Sequence, residues 1–171
     1  MMMAALEAGG LRAARSDVRD RRHNTADGEY RPNPHGLYEL PVEEMWEPGW
    51  PRQYDGMAVK CLARWVRHLT PHDYRVVFML RDLEEVRQSY RAAFDMNATI
   101  DQLRAMRDEA LRTLANRKDI RDVTTLDYAD VLANPVAELE RLGWPIDCAA
   151  AASVVTPGLY RFRRERLTVG L

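Results

Sequence analysis

The stretch 74–94, YRVVFMLRDLEEVRQSYRAAF, constrains the fold more than any other part of this chain. Val76-Val77-Phe78-Met79-Leu80 is a short, almost purely apolar run, the pattern of a parallel strand covered on both faces. Arg81 stands at the carboxyl end of that strand. Asp82 is then placed to N-cap a helix, with Glu85 three residues on to complete a capping box. Leu83, Val86, Tyr90 and Ala93 recur at helical spacing and predict an apolar helix face. Open α/β sheets bind ligands beyond the carboxyl ends of their strands, beside helix N-termini. Arg81 is therefore positioned to meet an anion, with Ser89 two turns along the same helix. The plainer alternative is an Arg81 ion pair with Asp82 or Glu85 and a Ser89 on a solvated face. Both readings fit the short motif, because a strand–Arg–Asp–helix junction is common in α/β proteins.

The remaining pattern alternates strands and helices, which predicts a parallel sheet with right-handed crossovers. A helix is expected over 1–8, closed by Gly9-Gly10, followed by a polar, Arg-rich loop over 11–34. A short helix is expected over 37–47, a turn region over 47–56, a strand over 57–62 and a helical turn or two over 63–69. Thr99 and Gln102 form a capping box for a helix whose stripe is Ile100, Leu103, Met106, Ala110, Leu111 and Leu114. That stripe reads as core packing and not as a cofactor box. A strand follows over 122–126, then helices over 128–133, 135–142, 147–154 and 158–167. With 171 residues the chain suits a single domain, 1–171, with a sizeable core.

A net charge of −1 argues against a general nucleic-acid or membrane-surface binder. The Arg runs at 12–22 and 161–166 read as solvated faces, with Arg161, Arg163 or Arg164 as minority candidates for an anion site. Cys61 and Cys148 do not make a disulfide framework and are expected as small core residues. His23, His35, His68 and His72 lack metal-ligand spacing with cysteine, so no metal is expected. No apolar run approaches membrane-spanning length and no secretory signal is present, which predicts a cytoplasmic protein. The Arg and Ala richness points to a bacterial or phage genome.

The apolar strand ending in Arg81, with Ser89 eight residues later, resembles the 3′-phosphate-binding segment of the PAPS-dependent sulfotransferase family. Leu83 stands where that family usually has proline. Asn33-Pro34-His35-Gly36-Leu37-Tyr38-Glu39 resembles the asparagine-proline-x-glycine-aromatic-aromatic-glutamate segment of bacterial members. Ala58-Val59-Lys60 is similar to the strand that ends in lysine near the transferred sulfuryl group. Leu126-Asp127-Tyr128-Ala129-Asp130-Val131-Leu132, followed by Asn134-Pro135, resembles the strand and following helix whose tyrosine can contact adenine. Leu142-Gly143-Trp144-Pro145 resembles the leucine-glycine-x-proline that closes the next helix.

The resemblance implies a P-loop-NTPase-like three-layer α/β sandwich with PAPS (3′-phosphoadenosine 5′-phosphosulfate) as co-substrate. It implies Arg81, Ser89 and Tyr128 for cofactor binding and Glu39 and Lys60 for catalysis, Glu39 as base and Lys60 as stabiliser of charge near the sulfuryl group. For Glu39 the competing role is a surface or capping carboxylate, and for Lys60 a strand-end ammonium in solvent. Leu62 occupies the place where cytosolic members often carry a catalytic histidine.

The family's first, central strand and phosphate-binding loop have no counterpart, and 1–10 resembles the helix that follows that loop. Two readings remain, a start recorded from an internal Met or a truncated, degenerate member. A chain lacking that strand is expected to show little sulfuryl transfer, to bind PAP weakly and to self-associate through unpaired edges. The alternative function is a non-catalytic nucleotide-binding or interaction module of the same fold. A third possibility, a P-loop kinase relative, is disfavoured by Arg81 and Ser89. The acceptor is a small molecule that no loop encodes recognisably.

Overall fold

The structure is a computed structural model that describes residues 1–15, 38–41, 43–94 and 97–157. It is a mixed α/β fold around two parallel strands, β1 (Tyr74–Leu80) and β2 (Ile120–Asp127). Helix α1 (Met2–Ala8) comes first, and a short α2 (Trp50–Gln53) and two 3-10 turns (Glu44–Trp46, Ala63–His68) precede β1. Helices α3 (Leu83–Phe94) and α4 (Ile100–Asn116) form the crossover between the strands. Helices α5 (Tyr128–Ala133), α6 (Pro135–Glu140) and α7 (Cys148–Ser153) follow β2. Among the described residues no helix is long and apolar enough to cross a membrane.

Helix boundaries follow local chemistry. Thr99 Oγ1 accepts from the Gln102 N–H at 3.2 Å while Gln102 Oε1 accepts from the Thr99 N–H at 2.8 Å, the reciprocal box that starts α4. Asp82 Oδ1 accepts from the N–H groups of Glu84 and Glu85, at 2.9 and 3.3 Å, and starts α3. Asp127 caps α5 and Asp147 caps α7 in the same way. Pro135 opens α6, where the missing N–H costs no helical bond.

Side chains of β1 alternate between two apolar layers. Val77 and Met79 pack against a core of Met2, Leu6, Leu126, Val131 and Leu139, contributed by α1, β2, α5 and α6, and of Leu142 in the turn after α6. Val76 and Phe78 pack on the opposite face, against Val66, Ala110 and Leu114. A third cluster of Ala14, Leu40, Met45 and Trp50 closes over Tyr74, Met57 and Cys61. At the amino ends of the strands Asp119 is a hub. Its carboxylate accepts from the His72 N–H at 3.1 Å and from Arg117 Nε at 3.0 Å, and its carbonyl accepts from the Tyr74 N–H at 3.0 Å. Arg117 also donates to the carbonyls of Leu69 and Thr70, at 2.6 and 3.2 Å.

Several expectations need correction. Val76 to Leu80 are only half-buried, although both faces meet apolar layers. Among the described residues the sheet has two strands, so one edge of β1 has no ladder partner there to cover it. The strand expected over 57–62 is reduced to two isolated parallel bridges, Ala13 with Ala58 and Glu39 with Lys60. A β-ladder needs a neighbour along its whole length, and here the partners come from two separate stretches of chain. Cys61 therefore lies beyond a bridge and not inside a strand, half-buried, with burial raising its thiol pKa to about 11. The helix expected over 37–47 is a single 3-10 turn, preceded at Glu39 by bridge-forming backbone. The turn region over 47–56 contains α2, entered through Gly49 at φ 84. The segments 16–37 and 158–171 lie outside the described residues, and with them His23, His35, the 158–167 helix and the Arg161, Arg163 and Arg164 candidates.

Candidate functional site

The register of the two strands builds the first group of candidates. Leu80 pairs with Asp127, so β1 and β2 end level with each other. The next residue of each strand, Arg81 and Tyr128, therefore emerges at the same height. The Arg81 guanidinium lies over the Tyr128 ring, 5.0 Å from its centroid, within the range of a cation–π contact. Arg81 Nε also donates to Glu85 Oε2 at 3.0 Å. The Glu85 side chain is 5% exposed and that of Arg81 is 22% exposed. Glu85 is thus a buried carboxylate paired with a cation, which is the condition under which burial of such a charge is tolerated. Ser89 is half-buried on α3, one helical turn beyond Glu85. Arg81, Glu85 and Ser89 follow at intervals of four residues, which sets Glu85 and Ser89 on one helix face.

A second group of candidates meets at the bridge between Glu39 and Lys60. Lys60 Nζ donates to Glu39 Oε1 at 2.8 Å, with both side chains only partly exposed. The two residues are far apart in sequence, and the bridge brings their backbones side by side. Lys60 also lies close to the amino end of α1. The Met1 amino group is held below its ordinary pKa, first by burial and second by the charge of Lys60.

The sequence candidates thus fall into two constellations, Arg81 with Tyr128 and Ser89's helix, and Glu39 with Lys60. The ion pair named above as the plain alternative for Arg81 is present, through Glu85 and alongside the contact with Tyr128. Local pattern left two features unread. Glu85 was expected as a capping-box residue or as a surface ion-pair partner of Arg81; it is the partner, and it is buried. Its position four residues after Arg81 fits that pairing. Tyr38 was one aromatic in a motif, yet it is 3% exposed and is the one non-glycine residue with positive φ among those described.

Among the described residues no group of three or more His, Cys, Asp or Glu side chains is arranged to hold a metal ion. Comparison with protein-family models, with curated proteins and with solved structures finds no match for this chain.

Proposed function

We propose that this chain is a sulfotransferase-like protein that binds PAPS at the carboxyl ends of β1 and β2, with chemistry directed at transfer of its sulfuryl group to a hydroxyl or amine of a small molecule and with little turnover expected where no counterpart of the phosphate-binding loop is present. The observation that carries the reading is the Arg81 guanidinium held over the Tyr128 ring, where two parallel strands end level. A guanidinium presents a planar fork of donors that fits a phosphate, and an aromatic ring beside it offers a face to a purine. The Ser89 hydroxyl adds a donor on α3, the helix that follows Arg81. Parallel pairing with apolar helical layers on both faces supports a P-loop-NTPase-like three-layer sandwich. An ordinary charge balance fits a cytoplasmic enzyme of small molecules.

In this reading the acceptor oxygen or nitrogen attacks sulfur in line. The bond from sulfur to the bridging oxygen breaks, and PAP leaves with its electron pair. Glu39 takes the acceptor proton, and Lys60 stabilises the charge that grows on the bridging oxygen. Such a transfer asks for positioning and charge stabilisation more than for covalent catalysis, as phosphoryl transfer does.

The Glu39–Lys60 ion pair also favours a second reading, a non-catalytic nucleotide-binding module, because each charge there already satisfies the other. Calorimetry with PAP and turnover of labelled PAPS over a panel of hydroxyl and amine acceptors separate the two. Arg81→Ala is expected to weaken PAP binding about tenfold or more, since a hydrogen bond to a charged group contributes roughly 1.5–3 kcal/mol. Ser89→Ala should cost less. Unchanged PAP affinity in Arg81→Ala sinks the assignment, and tight binding without turnover selects the second reading.

A further inference from the structure

We propose that Tyr38 is a positioning residue, a strained clamp that holds Glu39 against Lys60; its functional meaning rests on the reading of that pair given above. Tyr38 has φ 55, in the left-handed region that a bulky side chain occupies only when its surroundings impose it. Those surroundings are specific. The Tyr38 hydroxyl donates to Glu7 Oε2 at 2.8 Å and accepts from Arg15 Nη2 at 3.0 Å. Arg15 also pairs with Glu7, and its guanidinium lies 4.5 Å from the Tyr38 ring centroid. One phenol is therefore held at its oxygen by both members of an ion pair and at its face by one of them.

The clamp is anchored at both ends. Glu7 belongs to α1, whose Ala5 and Leu6 are buried in the core. Arg15 follows Ala14, which is 1% exposed and whose N–H donates to the Ala58 carbonyl at 2.9 Å. Ala58 lies two residues before Lys60, so the group that grips Tyr38 is tied to the same stretch that carries Lys60. On the other side of Glu39, Leu40 is buried at 4% exposure against Met45 and Trp50. Glu39 is thus flanked by two buried side chains, and its own carboxylate is delivered to Lys60 Nζ. A left-handed residue immediately before it sets the direction of the backbone at that point. Without the clamp Tyr38 has every reason to return to an ordinary conformation, and Glu39 would turn away with it.

The test uses the fact that the chain has two lysines, Lys60 and Lys118. Lys118 is exposed and serves as an internal reference. Limited acetylation of the full chain with an N-hydroxysuccinimide ester, read by peptide mass spectrometry, gives the ratio of Lys60 to Lys118 labelling. Acetylation of Lys60 requires its pair with Glu39 to open, and Glu39→Gln calibrates the fully opened value. Tyr38→Phe keeps the ring and removes the hydroxyl. It is expected to raise the ratio roughly threefold to tenfold, the range for loss of a partly buried ionic hydrogen bond. Arg15→Gln removes the other grip from a side chain that is 43% exposed, and should move the ratio in the same direction. A merely structural tyrosine would lower the unfolding midpoint and leave the native ratio unchanged. An unchanged ratio in a folded Tyr38→Phe overturns the proposal, and if that variant does not fold, an unchanged ratio in Arg15→Gln does so. Turnover is read separately: Tyr38→Phe should lower kcat for PAPS with little change in KM. A wild-type chain that binds no PAP refutes the function and leaves the labelling result to decide the clamp.

Discussion

The pairing of Glu85 with Arg81 offers a perturbation whose size can be worked out. Glu85→Gln keeps the shape of the side chain and removes its charge. It weakens the 3.0 Å contact with Arg81 Nε, leaving a cation that is 22% exposed beside the Tyr128 ring. Breaking a fully buried ion pair costs roughly 3–5 kcal/mol, because one charge is left without compensation. Arg81 is not fully buried, so water can recover part of that loss, and the amide oxygen can still accept a hydrogen bond from the guanidinium. The expected loss is therefore about 1.5–3 kcal/mol, the range for a hydrogen bond to a charged group. For a domain of this size that lowers Tm by roughly 3–12 °C. Arg81→Met alone takes the paired cation from the Glu85 carboxylate, which is 5% exposed, and should cost as much or more. In the double variant both charges of the pair are gone, so its loss should fall short of the sum of the singles by at least about 1 kcal/mol. Equilibrium urea denaturation of all four proteins, with m-values compared, measures this. A Glu85→Gln loss below about 0.5 kcal/mol, in the range of ordinary surface changes, or strict additivity in the cycle, would refute the claim that a buried charge orients Arg81.

Two further outcomes test other parts of the fold. The Asp119 carboxyl is held at about 2, below its usual 3.8, first by its hydrogen bond from Arg117. A depressed carboxylate contributes stability that is fully present above its unfolded value and is lost as pH falls through the folded one. Wild type should therefore lose this contribution between about pH 4 and pH 2, and Asp119→Asn should flatten urea-midpoint curves across that window; parallel curves for the two proteins would show that the hub is inert. Leu126 is fully buried in the layer shared by α1, β2, α5 and α6, so Leu126→Ala should cost roughly 2–5 kcal/mol, and a loss under about 1 kcal/mol would show that this layer is loosely packed.

How much of this molecule is legible before folding depends on the distance over which each feature is encoded. The strand at 74–80, the Asp82 cap, the capping box of Thr99 and Gln102, β2 and the short helices behind it all follow from windows of a few residues. Periodicity and capping are local energies, so they can be read in order along the chain. The same local reading failed at 57–62 and 37–47, where the outcome depends on which stretch lies alongside. MAVKCL has the composition of a strand, but strand length is decided by its neighbours, and here they supply only two bridges.

The residue types of the candidate site were visible in the sequence, and of their partnerships only the Arg81–Glu85 ion pair, which is local, was among the alternatives it offered. Arg81 and Tyr128 are neighbours because Leu80 and Asp127 are in register. Glu39 reaches Lys60 because a backbone bridge closes the gap between two distant segments. Glu85 is buried because α3 turns that position inward, although its charge would predict solvent. Tyr38 is strained because Glu7 and Arg15, from earlier in the chain, bind its hydroxyl. The sequence by itself determined the elements, their caps and the identity of the chemical groups. Only the tertiary structure decided which charge faces which, because register, burial and strain arise from contacts between segments whose separation no local window spans.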